Sequence, residues 1–119
     1  MMCNSAREVQ RLGEEAAARY LRRRGWTILA RNWRVRVGEL DLVVRKAATL
    51  VFVEVKTRTS SDFLEPQLGV DFSKQGRLRR VALAYLANEA PRFQDCRFDV
   101  ISVVLNGGRP RITRHEAAF

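Results

Sequence analysis

Two neighbouring apolar stretches that carry acidic residues decide the fold of this chain: GELDLVV at residues 38–44 and VFVEVK at residues 51–56. Side chains on a β-strand point alternately to the two faces of a sheet, so each stretch predicts one aliphatic face and one face that carries charge. The charged faces are Glu39, Asp41 and Val43 in the first stretch and Phe52, Glu54 and Lys56 in the second; the aliphatic faces are Leu40, Leu42 and Val44, and Val51, Val53 and Val55.

If residues 46–49 form a four-residue hairpin loop, Asp41 lies opposite Glu54, and Val43 lies opposite Phe52. Opposed side chains in an antiparallel pair have their Cβ atoms about 4.5–5.5 Å apart. Two carboxylates at that spacing destabilise a sheet unless a proton or a cation lies between them. Hard oxygen ligands of this kind suit Mg²⁺ or Mn²⁺, so the register predicts a divalent metal site.

A different arrangement of the same strands also fits the sequence. Glu39 and Lys56 could form a cross-strand ion pair on a solvated face, with Asp41 and Glu54 exposed beside it. A slip of one residue in the register would also place Asp41 and Glu54 on opposite faces. The presence of apolar residues on the charged faces argues against a fully solvated surface.

The remaining sequence predicts one mixed α/β domain over residues 1–119, with a central sheet of about five strands and a helix on each side. Asn4 or Ser5 is expected to cap the first helix and Gly25 to end it, and Asp71 or Ser73 is expected near the cap of the second. The expected elements are a helix at 6–24, strands at 26–30, 38–45 and 50–57, a loop at 57–70, a helix at 73–88, and strands at 97–105 and 110–114.

Apolar residues at helical spacing identify the buried side of each helix. The expected stripes are Val9, Leu12, Ala16 and Tyr20, widened by Ala17 and Leu21, in the first helix, and Leu78, Val81, Ala82, Tyr85 and Leu86 in the second.

Charge is the most informative property of the composition. The formal net charge is +9, from 22 basic and 13 acidic residues, and all but three of the basic residues are Arg. Guanidinium groups suit bidentate contact with phosphate, which favours a nucleic-acid partner, although a solvated basic surface would have the same composition. Without an apolar run of about 20 residues or paired cysteine motifs, we expect a soluble, cytoplasmic protein that has no membrane partner and no zinc site.

The motifs along the chain resemble the YraN-like bacterial family, a branch of the PD-(D/E)XK nuclease superfamily near the archaeal Holliday-junction resolvases. This resemblance implies a restriction-endonuclease-like fold. The segments that carry it are GEEAAARYL (13–21), GWTILARNWR (25–34), GELDLVV (38–44), LVFVEVKTR (50–58), KQGRLRR (74–80), YL (85–86), RFDV (97–100), and His115 with the terminal AF.

The resemblance also implies a catalytic site. In it Asp41, Glu54 and the backbone carbonyl of Val55 would hold Mg²⁺, and Lys56 would orient and help deprotonate the attacking water. Glu14 matches the acid that resolvase-like members bring to the metal from the first helix, and it lies at the edge of that helix's buried stripe. Two positions depart from the superfamily pattern: Leu40 stands where a Pro often precedes the first acid, and residues 62–64 lack a frequent Phe-Gly pair.

The implied activity is that of a Mg²⁺-dependent endonuclease that acts on branched or single-stranded DNA in recombination or repair. By analogy with resolvases, the resemblance also implies a homodimer. The alternatives are a non-catalytic nucleic-acid-binding module and a protein-interaction adaptor. Basic residues expected to contact phosphate, or else to form an ordinary solvated surface, are Lys74, Arg77, Arg80, Arg58 and Arg34.

Overall fold

The computed structural model describes residues 5–59 and 70–119, and they form a mixed α/β fold with one five-stranded sheet and two helices. The predicted order of helices and strands is confirmed. The elements are α1 (Ala6–Arg23), β1 (Thr27–Val35), β2 (Gly38–Lys46), β3 (Thr49–Thr59), α2 (Phe72–Glu89), β4 (Asp95–Leu105) and β5 (Arg111–His115).

Strands β1, β3 and β4 are longer than the sequence predicted, and β4 begins at Asp95 instead of residue 97. Strand β1 continues through the basic stretch to Val35 instead of ending at residue 30, because those residues pair with the first half of β2. Strand β3 continues to Thr59, and residues 60–69 of the expected loop, including residues 62–64, lie outside the described residues.

The strands lie side by side in chain order, β1-β2-β3-β4-β5. Neighbouring strands are antiparallel except for β3 and β4, which run parallel. Parallel neighbours require a crossover connection, and α2 lies in the segment that connects these two strands. The crossover places α2 on one face of the sheet, and α1 packs on the other.

The predicted register of the β2–β3 hairpin is confirmed, although its loop is shorter than expected. Val43 is opposite Phe52, and the pairing extends outward to Lys46 and Thr49. Only residues 47 and 48 form the turn, and Ala47 has a φ of 53°. At the other end the pairing stops at Leu42 and Val53, so Asp41 and Glu54 lie just beyond the last paired residues.

The alternation of side chains holds along β3 but changes in β2 at Asp41. Leu42 packs with α1, whereas Leu40 joins the cluster formed around α2. The prediction that these two leucines share a face was therefore wrong. Asp41, between them, accepts a hydrogen bond from the backbone N–H of Val55 and interrupts the regular pleat.

Helix α1 begins and ends where its sequence predicts. The Ser5 side chain accepts a hydrogen bond from the backbone N–H of Glu8 at 3.1 Å, and Gly25 has a φ of +89°. Its buried residues are Gly13, Ala17, Ala18 and Leu21, so the predicted stripe was displaced around the helix. The buried side is lined by small residues because α1 lies very close to β3. A Cβ added to Gly13 would overlap the side chain of Thr57.

Helix α2 also follows its prediction closely. The Asp71 carboxylate accepts a hydrogen bond from the backbone N–H of Lys74 at 2.8 Å and caps the first turn. Its buried residues are Leu78, Val81, Ala82 and Tyr85. Neither helix in the described part of the chain is long and apolar enough to cross a membrane.

Candidate functional site

The carboxyl groups of Asp41 and Glu54 meet where β2 and β3 separate. Asp41 is buried, with 7% of its surface exposed, and its carboxyl group is close enough to that of Glu54 for each to shift the pKa of the other. The other partner of Asp41 is the backbone N–H of Val55, at 2.9 Å from Oδ2. The end of strand pairing explains the contact, since the Asp41 side chain takes the hydrogen bond that a backbone carbonyl would otherwise accept.

The two carboxyl groups hold one proton between them. Burial and the hydrogen bond with Glu54 raise the pKa of Asp41 to about 9. Burial acts to raise the pKa of Glu54 as well, but the hydrogen bond from Asp41 and the contact with Lys74 outweigh it and lower that pKa. Asp41 is therefore protonated and Glu54 ionised near neutral pH in the absence of metal.

Helix α2 contributes a cation to the same place. The Lys74 ammonium lies 2.9 Å from Oε2 of Glu54, whose side chain is only 11% exposed. The sequence prediction assigned Lys74 to phosphate contact from a solvated helix face. The structure instead brings it against the predicted metal ligand, because the N-terminal turn of α2 lies beside the end of β3.

Lys56 lies two residues beyond Glu54 on β3 and is partly buried. Burial lowers the pKa of Lys56, and the positive charge of Lys74 lowers it further. Because of both effects, Lys56 loses its proton and becomes a neutral amine more easily than an exposed lysine does. A basic amine beside a pair of carboxyl groups is suited to accept a proton from water.

Helix α1 closes the site from the opposite face of the sheet. The Gln10 side-chain amide donates to Oε2 of Glu14 and to the backbone carbonyl of Val55, both at 3.0 Å. Asn32 of β1 donates to the other carboxylate oxygen of Glu14, also at 3.0 Å. The Val55 carbonyl and Glu14, two predicted metal ligands, are thus joined through one glutamine.

The close approach of α1 depends on Gly13, since any larger residue would push the helix away from Thr57. Glu14 is near enough for its negative charge to contribute to the raised pKa of Asp41. Within residues 5–59 and 70–119, however, three acidic, His or Cys side chains do not gather into one metal-binding group. The role of Glu14 as a direct ligand stays a prediction.

The other predicted phosphate-contacting residues lie outside this cluster. Arg34 is 2.7 Å from Glu39, its cross-strand neighbour, and is largely exposed. Arg58 donates to the backbone carbonyl of Thr57. Arg77 and Arg80 are exposed on α2.

The donor atoms that converge here suit a hard divalent cation. They are two carboxyl groups and one backbone carbonyl, and Mg²⁺ commonly uses one or two carboxylates while it keeps several waters. Two features of the structure fit such an ion: the carboxyl pair needs a shared proton to coexist, and the buried Oε2 of Glu54 has no well-directed hydrogen bond among the described residues. A cation could replace the proton and balance both charges.

The sequence analysis missed Gln10, Asn32 and the contact of Lys74 with Glu54. Gln10 precedes Glu14 by four residues, which places both on one face of α1 and was a usable signal. Asn32 has a φ of 48°, in the left-handed region that Asn tolerates, but nothing in the sequence marks that conformation. The contact of Lys74 depends on the packing of α2, which no local pattern specifies.

Comparison with known proteins places the chain in a family. The model of "Uncharacterised protein family UPF0102" matches residues 13–103. A UPF0102 protein of Nocardia farcinica is 52% identical over 108 residues, which cover 90% of this chain and 85% of the relative. UPF0102 proteins of Syntrophomonas wolfei and Pelotomaculum thermopropionicum are 44% and 43% identical, over 95% and 99% of this chain and 98% and 100% of theirs. The chain therefore belongs to the UPF0102 family, which is the YraN-like family that its motifs predicted.

Proposed function

We propose that this protein is a Mg²⁺-dependent endonuclease of the PD-(D/E)XK type that acts on DNA. The observation that carries the proposal is the convergence of Asp41 and Glu54, two buried carboxyl groups that share a proton beside a lysine pair. A buried acid pair of this kind costs stability in the metal-free protein, which is common where a protein keeps residues for function.

Asp41, Glu54 and the Val55 carbonyl are the groups that would hold the ion. When bound, Mg²⁺ (or Mn²⁺) would neutralise charge on the phosphoryl group and increase the acidity of water. Gln10 donates to the Val55 carbonyl at 3.0 Å, and that oxygen keeps a second lone pair with which it could bind the ion. Glu14 accepts a hydrogen bond from the same amide and would be held beside this carbonyl.

The two lysines have separate tasks in this proposal. Lys56, whose pKa is lowered by burial and by Lys74, would orient the attacking water and accept its proton. Lys74 balances the charge of Glu54 in the metal-free protein. With a cation held by Glu54, the Lys74 ammonium would be free to contact a phosphate oxygen of the substrate.

The substrate we propose is DNA, branched or single-stranded, as the resolvase-like motifs imply. The net charge of +9 supports a polyanionic partner. Exposed Arg77 and Arg80 lie on the helix that brings Lys74 to the site, and would contact the backbone on either side of the cleaved bond. Arg34 and Arg58 would extend this contact, and a homodimer would place two sites on the paired strands of a junction.

The test is cleavage of a four-way junction, a flapped duplex and single-stranded DNA by purified protein, with Mg²⁺, with Mn²⁺ or with EDTA. We expect metal-dependent nicking that is lost in Asp41→Asn and Glu54→Gln, while DNA affinity measured in EDTA is retained. Glu15→Gln is the matched control, because Glu15 is a neighbouring helix residue that pairs with Arg31 away from the site. Wild-type protein that binds DNA but cuts none of these substrates would contradict the proposed activity.

A non-catalytic nucleic-acid-binding module is the second candidate, and two contacts favour it. Lys74 already balances the charge of Glu54, and Gln10 already donates to the Val55 carbonyl, so each of these groups has a partner without a metal. This candidate predicts DNA binding whose affinity falls steeply with salt, together with no change in stability on addition of Mg²⁺. A stabilising effect of Mg²⁺ that Asp41→Asn abolishes would exclude it.

A further inference from the structure

A second cluster of charge lies at the opposite end of the sheet from Asp41 and Glu54. It surrounds a surface pocket of about 470 Å³ beside Thr49, the first residue of β3. Five residues separate Thr49 from Glu54, which corresponds to roughly 17 Å along a strand. The pocket is therefore a separate place on the molecule, and its main lining residues are Arg24, Lys46, Arg97, Arg114, Trp26 and Glu116.

Three of these cations gather around one indole ring. The Lys46 ammonium and the guanidinium carbons of Arg97 and Arg114 lie 5.9, 5.8 and 5.8 Å from the centre of the Trp26 ring. Trp26 itself is only 9% exposed, so it forms the floor of the pocket. The ring attracts each cation weakly, but the cations repel one another, and an anion among them would relieve that repulsion.

The protein holds Arg97 in a fixed position and links Arg114 to it through a carboxylate. Buried Asp99 binds Arg97, with Nε of the arginine 2.9 Å from Oδ1 of the aspartate. The Glu116 carboxylate bridges the two arginines: its oxygens lie 2.9 Å from Nη2 of Arg97 and 3.2 Å from Nη2 of Arg114. Three cationic side chains, Lys46, Arg97 and Arg114, thus face two carboxylates, which leaves a formal excess of one positive charge among the described residues around the Trp26 ring.

Two observations show that Glu116 does not satisfy all the hydrogen-bonding groups of these arginines and is itself only weakly held. Nη1 of Arg114 is buried and has no hydrogen-bond partner among the described residues. Glu116, the carboxylate that enters the pocket, is 55% exposed and follows the last residue of β5, so little packing holds it in place. An external anion can take the place of this loosely held carboxylate between Arg97, which Asp99 holds, and Arg114.

We infer that this pocket binds a phosphate group, and that Glu116 occupies the anion position until the ligand displaces it. Guanidinium groups bind phosphate through paired hydrogen bonds, and two oriented arginines with a nearby lysine match its several acceptor oxygens. The inference goes beyond the proposed nuclease site and does not depend on it. The phosphate could belong to a nucleic-acid backbone or to a free nucleotide or polyphosphate, since the recognition chemistry is the same.

Isothermal titration with pyrophosphate, in EDTA and at low ionic strength, tests the site without any catalytic activity. We expect binding of one pyrophosphate per chain, reported also by the fluorescence of Trp26 in a Trp33→Phe background. Arg114→Gln should weaken binding by about tenfold, as expected for loss of a hydrogen bond between charged groups. Glu116→Gln should strengthen it several-fold, because it removes the competing carboxylate.

Arg111→Gln is the matched control, since it removes the same charge from an exposed position of the same strand and should leave affinity unchanged within about twofold. Lys46→Gln, at an exposed position, gives a second loss-of-binding variant if Arg114→Gln does not fold. A Glu116→Gln variant that binds pyrophosphate no better than wild type, or equal weakening by Arg114→Gln and Arg111→Gln, would overturn the inference.

Two further titrations identify the source of the phosphate, with ATP and with a short single-stranded oligonucleotide. If Arg114→Gln weakens the oligonucleotide more than Arg111→Gln does, the pocket contacts a nucleic-acid backbone. If the difference is confined to pyrophosphate and ATP, the ligand is a free phosphate compound. Either result supports a phosphate site, whereas no binding of any of the three ligands would exclude it.

Discussion

Replacement of Asp41 by Asn should stabilise the metal-free protein. Asn has nearly the same shape as protonated Asp, can donate to Glu54, and can accept from the backbone N–H of Val55, but it needs no proton to be neutral. The folded protein raises the pKa of Asp41 from 3.8 to about 9, so near pH 7 the folded state must keep a proton that the unfolded state has lost.

The size of the effect follows from that difference. About three pH units separate 3.8 from neutral pH, and each unit corresponds to about 1.4 kcal/mol, so retaining the proton costs the fold up to about 4 kcal/mol. Because Glu54 shares the site, we expect the measured gain of Asp41→Asn to be about 2–4 kcal/mol. The free energy of unfolding of wild type should fall as the pH rises from about 4 to about 9, and the variant should lack most of this slope.

Urea denaturation followed by circular dichroism, in EDTA and at several pH values, measures both quantities. Asp95→Asn is the control, because it neutralises an exposed carboxylate at the start of β4 and should change stability by less than about 0.5 kcal/mol. If Asp41→Asn is less stable than wild type near neutral pH, or shows the same pH dependence, Asp41 does not carry the shared proton.

Five other substitutions test separate features of the structure. Lys56→Ala should reduce the rate of metal-dependent nicking by about 10²–10⁴-fold while DNA affinity is retained, and a rate within a few fold of wild type would exclude proton transfer by Lys56. Gln10→Ala should destabilise the protein by about 1 kcal/mol, through its lost hydrogen bonds, without weakening Mg²⁺ binding measured by titration calorimetry. Gly13→Ala should destabilise by about 1–3 kcal/mol in urea, because its methyl group overlaps Thr57, whereas Gly76→Ala, with open space around it on α2, should stabilise by up to about 1 kcal/mol. Lys74→Ala should lower the affinity for DNA more in Mg²⁺ than in EDTA, and equal effects in both would contradict its release from Glu54 by metal.

Local sequence patterns determined most of the fold. The alternation along β3 and the position of the hairpin predicted that Val43 faces Phe52, and this register carries Asp41 towards Glu54. The N-cap at Ser5, the left-handed Gly25 and the cap at Asp71 followed from residue types whose preferences act within a few positions of the chain. These features depend on neighbouring residues, so the sequence by itself was enough.

Tertiary structure decided which groups complete the site. Gln10 reaches the Val55 carbonyl because α1 packs closely over β3 at Gly13, and Lys74 reaches Glu54 because α2 begins beside the end of that strand. The change of side at Leu40 likewise follows from the hydrogen bond between Asp41 and the backbone of Val55. Such contacts join residues far apart in the chain, and their geometry depends on the packing of whole helices against the sheet, which periodicity and local preference do not specify.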